Sequence, residues 1–82
     1  MNYGDILSRV QKSFSEILRV PEERIVPEAR LIEDLDVDSL FITQLAMGLE
    51  EEFDIEVSDT DTPLLTTVAS VVDYVTQKLE TK

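Results

Sequence analysis

The stretch Glu33-Asp34-Leu35-Asp36-Val37-Asp38-Ser39-Leu40-Phe41-Ile42-Thr43-Gln44-Leu45-Ala46-Met47-Gly48-Leu49-Glu50-Glu51-Glu52-Phe53 decides the fold. It opens by alternating Asp with apolar residues, as a calcium-binding EF-hand loop does. The match then fails. Counted from Asp34, the sixth loop position is Ser39 where glycine must turn the chain, and the twelfth is Leu45 where a bidentate Glu is needed. No metal site is expected. As a helix start the same residues make physical sense. Asp38 is a good N-cap, because its carboxylate can accept from the orphan amides of a first turn. Ser39 then takes the first helical position, its hydroxyl near the positive end of the macrodipole, where a phosphate ester would be stabilised. An Asp-Ser pair also reads simply as a cap. From there Ile42, Leu45, Ala46, Leu49 and Phe53 recur at helical spacing, which predicts a helix from Ser39 to about Glu52.

Working outward, Ile6, Leu7, Val10, Phe14, Ile17 and Leu18 predict a first helix from about Asp5 to Arg19, stopped by Pro21. Residues 20 to 38 form a long connection in which Ile25, Val26, Leu31, Ile32 and Leu35 are expected to pack inward. Loops of that length in a small domain are usually functional. On the other side, Asp54 to Pro63 is acidic and turn-rich, with room for one helical turn around Thr62 to Leu65. Thr66 or Thr67 caps a last helix whose buried face is Val68, Val71, Val72, Val75 and Leu79. Valine favours strands, but this spacing follows a helical face and a strand would alternate. The expected fold is all-α, a small bundle of three main helices plus one short helix, with a long loop between the first two.

Charge is segregated along the chain. The 82 residues carry 18 Asp+Glu against 7 Lys+Arg, a formal net charge of -11. From Leu31 to Gln77 there is no Lys or Arg, while acidic residues run from Glu33 to Asp73. Such a field repels nucleic acid and anionic lipid and steers basic protein partners toward the middle of the chain. Cysteine and histidine are absent, which excludes disulfides, thiolate zinc sites, Cys nucleophiles and Ser-His triads. Two glycines cannot build a phosphate-cradling loop. No run approaches the roughly 20 apolar residues of a membrane span. The start MNYGDILSRVQ lacks a basic region followed by an apolar run, so a cytoplasmic location is expected.

The stretch Glu33 to Leu40, followed by Leu45-Ala46-Met47-Gly48-Leu49-Glu50-Glu51-Glu52-Phe53-Asp54-Ile55, resembles the acyl carrier protein family. Thr66-Thr67-Val68 and Val72-Asp73-Tyr74-Val75 look like that family's final helix, so the resemblance covers nearly the whole chain as one acyl carrier domain, 1–82. It implies that Ser39, beside the Asp38 cap, carries a covalent phosphopantetheine arm from coenzyme A, installed by a phosphopantetheinyl transferase. It implies a carrier and not an enzyme: the arm's thiol holds acyl intermediates as thioesters and delivers them to biosynthetic enzymes. The implied partners are an acyl-loading ligase or transferase and ketosynthase-type or other acyl-processing enzymes with basic docking surfaces. Nucleic acid and membrane are not among them, and the chain is expected to be a monomer.

Leu40 and Met47 on the outward helix face read as partner contacts or as ordinary scattered surface residues. Glu50, Glu51 and Glu52 follow family acidic positions that would meet Lys and Arg. The chain departs from the family pattern at Asp36, where Gly is common, at Phe41, where an acidic residue is usual, and at Gln44, where Glu is usual. These departures favour a specialised fatty-acid or polyketide-type pathway. The alternatives are a housekeeping fatty-acid carrier, an aminoacyl carrier, and an unloaded acidic adaptor acting only by protein contacts. Phe41 is read either as an exposed anchor for a partner pocket or as folding back on Leu35 or Val37.

Overall fold

A computed structural model describes residues 2–81 of the chain, and Met1 and Lys82 lie outside the described residues. Helix α1 spans Tyr3–Leu18, α2 spans Ser39–Phe53 and α3 spans Val68–Glu80. Short 3-10 helices occupy Glu22–Arg24 and Asp59–Leu64. The all-α expectation holds, with no strand among the described residues. Each boundary has a local cause. Asn2 caps α1 by accepting from the Asp5 amide at 2.9 Å, which starts the helix two residues before the expected position. Arg19 ends it in the left-handed conformation, φ 58°, its amide donating to Ser15 O. Thr67, of the two candidate threonines, caps α3 by accepting from the Ser70 amide at 3.0 Å.

The core gathers Ile6, Val10 and Phe14 of α1, Leu45, Leu49 and Phe53 of α2, and Val68, Val71, Val72, Tyr74 and Val75 of α3. Leu79, expected on the buried face of α3, and Ile42, expected in the stripe of α2, are only half-buried. Helix α1 packs against both other helices, while α2 and α3 meet much less. Close approach of α1 to α2 needs a small residue at Gly48, where an added Cβ would sit 2.7 Å from Ile17 Cδ1.

The connection from 19 to 38 corrects part of the sequence reading. Ile25, Leu31 and Leu35 are buried as expected, together with Ala29 and Val37. Val26 and Ile32 are exposed instead, Ile32 by 62%. Ile25 and Val26 are neighbours leading into Pro27, and a residue before proline is held extended, so their side chains point to opposite sides. At Ile32 a turn intervenes: Arg30 O accepts from the Asp34 and Leu35 amides, which turns Leu31 and Leu35 inward and leaves Ile32 out. The loop is stitched to the start of α3 by three backbone bonds, Leu31 N to Thr66 O, Val68 N to Ala29 O and Ala69 N to Pro27 O, each 3.0 Å. Arg30 and Thr67 form an isolated antiparallel bridge there.

Candidate functional site

The loop and α2 meet at Asp38-Ser39. Two anchors hold the approach. Val37 is buried and donates to Leu31 O at 2.9 Å. Asp36, one residue earlier, adopts φ 56°, in the left-handed region that glycine enters without penalty. That position is where glycine is common in the resembled family, so the sequence departure marks a real backbone constraint. Upstream, Arg30 braces the turn: its guanidinium bonds Glu33 and Asp34, and its amide donates to Asp34 Oδ2 at 2.8 Å. These hydrogen bonds from Arg30 lower the Asp34 carboxyl below its ordinary value.

Asp38 is the N-cap of α2. Its Oδ1 accepts from the Phe41 amide at 3.0 Å and its carbonyl takes the Ile42 amide at 3.0 Å. Ser39 follows as the first helical residue and is exposed. Ser39 and Leu40 stand in the first turn of α2, where helix amides have no partner within the helix and the dipole is positive. The stretch from Leu31 to Gln77 holds no Lys or Arg, and the positive end of the α2 dipole favours an anion on the Ser39 hydroxyl. The residues fit a phosphate ester: Ser39 is exposed, and the helix start that carries it is held by the Asp38 cap.

Around this point the surface is apolar with an acidic flank. Leu40 is 75% exposed, Met47 55% and Phe41 37%, and Gln44 and Glu51 are exposed as well. Residues 40, 44, 47 and 51 thus share the outward face of α2 with Phe41 beside them. Glu50 and Glu52 are placed differently. Glu50 Oε2 accepts from the Val57 amide at 3.0 Å, and Glu52 is engaged by Arg9 of α1 at 2.7 Å. Sequence reasoning missed Ile32 and Leu64, both exposed. One helical turn past Ser39, Ile42 lines an open groove of about 300 Å³ together with Ile32, Pro63, Leu65 and Thr66. No local pattern signals this groove, because its walls come from three separate parts of the chain.

The capped start of α2 leaves Ser39 exposed at the end of the bundle. The family model described as phosphopantetheine attachment site matches residues 8–75. The acyl carrier protein of Thermosynechococcus vestitus (strain NIES-2133 / IAM M-273 / BP-1) is 42% identical over 79 residues, 96% of this chain and 98% of that relative. The acyl carrier protein of Buchnera aphidicola subsp. Schizaphis graminum (strain Sg) is 42% identical over 75 residues, 92% of this chain and 95% of that one. The chain belongs to the acyl carrier protein family, carrying acyl groups on phosphopantetheine. Among the described residues no helix is long and apolar enough to cross a membrane.

Proposed function

We propose that Ser39 is the attachment point of the phosphopantetheine arm and that residues 1–82 act as a single acyl carrier domain without catalytic activity of their own. The observation that carries this reading is the exposed Ser39 at the first position of α2, held by the Asp38 cap. When attached, the arm supplies the thiol that a cysteine-free chain lacks and holds the acyl group as a thioester. The chain's own residues do the positioning. Asp38 fixes the first turn, the α2 dipole favours the phosphate charge, and the loop braced by Arg30 keeps Ser39 at an open end of the bundle. A phosphopantetheinyl transferase loads it, an acyl ligase or transferase charges it, and ketosynthase-type or related enzymes with basic surfaces receive it. The reading places this work in the cytoplasm, with the chain a monomer.

Within the family the reading favours a specialised fatty-acid or polyketide-type pathway. Its support is the outward face of α2, where Phe41 and Gln44 stand in place of the usual carboxylates and add apolar surface beside Ser39. Aromatic residues are enriched where partners bind tightly. Intact mass after incubation with coenzyme A and a phosphopantetheinyl transferase tests the attachment. One added arm on the wild type, and none on Ser39→Ala, is the expected result. A chain that no transferase modifies would be an adaptor and the proposal would fail.

A further inference from the structure

The six residues of the Asp59–Leu64 helix include none that is buried. Their internal bonds, Asp61 N to Ser58 O and Thr62 Oγ1 to Asp59 O, hold the local turn but tie it to nothing else. At its two ends the segment is fixed: Val57 donates to Glu50, and Leu65 is in the core. Between those points, among the described residues, its polar links to another element converge on one place. Tyr74 of α3 donates its hydroxyl to Asp61 Oδ2 at 2.6 Å, and the Ser58 amide donates to the Tyr74 hydroxyl oxygen. Lys78 Nζ stands 4.0 Å from Asp61 Oδ2. The two residues after Asp61, Thr62 and Pro63, line the 300 Å³ groove that Ile42 also lines.

We propose that the Tyr74–Asp61 hydrogen bond is a latch that holds this segment in place as a groove wall, and that the wall opens as a unit when the bond breaks, leaving α3 intact. The asymmetry of the two partners carries the inference. Tyr74 is anchored in the core, so it cannot follow the segment outward, whereas Asp61 belongs to a strap without buried side chains. The bond is short and charge-assisted, the kind that contributes most among side-chain hydrogen bonds. Segments with few buried contacts open locally at lower free energy than the global transition. Pro63 stiffens the strap, so it swings about its ends in preference to unravelling. The latch does not depend on what enters the groove or on whether Ser39 is loaded.

Hydrogen exchange read by NMR on the full chain tests this. In Tyr74→Phe the protection of the Asp61 and Leu65 amides should fall about tenfold or more, the factor expected for losing a charge-assisted bond. The Val71 and Thr81 amides at the two ends of α3 should keep their protection within about twofold, as local opening requires. Asp61→Ala removes the same bond from the exposed side and should reproduce the pattern even if the core tolerates Tyr74→Phe poorly. Asp61→Asn, which keeps an acceptor, should recover most of the protection. Equal losses across α3 would show a bond that merely stabilises the whole fold. Unchanged protection in both Tyr74→Phe and Asp61→Ala would show that the bond does not hold the strap. Either result overturns the proposal.

Discussion

Asp36 is one of three non-glycine residues, with Arg19 and Asp54, that the described backbone holds at positive φ. A left-handed conformation costs an ordinary L-residue about 1–2 kcal/mol, and Asp somewhat less because its short side chain can bond locally. At φ 56° it sets the corner before Val37 enters the core and Asp38 caps α2, so the strain sits three residues ahead of Ser39. Asp36→Gly removes that strain together with one charge of the acidic cluster, against the greater freedom glycine has when unfolded, about 0.5–1 kcal/mol. The expected net is a stabilisation of up to about 1 kcal/mol, raising the melting temperature by about 4–8 °C in a domain of this size. Asp36→Val, β-branched at the same φ, should lower it. A thermal melt of the three proteins checks both directions. The sequence flagged this position only as a departure from a family habit. Its meaning lies in a dihedral angle, which composition and periodicity do not encode.

Helix α2 was the most legible element, because its apolar spacing and cap signals agree and both are local. Its outward face was legible too: with Leu45, Ala46 and Leu49 turned inward, residues 40, 44 and 47 had nowhere to point but solvent. The long loop was not legible in the same way. Its side chains follow no period, and which of Leu31 and Ile32 goes inward is decided by a turn around Arg30 and by bonds to a helix far along the chain. The face of α2 yields its own prediction. The double change Phe41→Asp with Gln44→Glu restores the usual carrier pattern at two exposed positions, so it should alter stability by no more than about 0.5 kcal/mol. Turnover of the charged carrier by its native partner should fall, and turnover by general fatty-acid enzymes should rise, in side-by-side kinetic assays. A large drop in melting temperature with partner preference intact would make Phe41 a packing residue.

Across the whole molecule, electrostatics and hydrogen bonding work on stability in different pH ranges. A net charge of -11 on a body of 31 × 26 × 19 Å repels itself at neutral pH, and the surface ion pairs of Arg9 and Arg30 offset little of it. Added salt at neutral pH should therefore raise the melting temperature, since screening shortens the reach of that repulsion. At the alkaline end Tyr74 takes over. Burial, then the bond to Asp61, pushes its hydroxyl from 10.0 up to about 12, so the folded state keeps a proton the unfolded chain has lost. The stability this contributes is complete below pH 10.0 and is lost as pH rises toward about 12. At the acid end the lowered Asp34 carboxyl works in the opposite sense, contributing above pH 3.8 and fading as pH falls through its folded value. Melting curves across salt and pH check all three signs. The stitching of the loop to Thr66, Val68 and Ala69 has a further consequence for the newborn chain. Synthesis runs from the N-terminus, so the loop before Ser39 is made long before the residues it bonds to. Until they emerge, Ser39 rides on an unfastened segment, and its final placement depends on residues 66–69 as much as on the stretch that contains it.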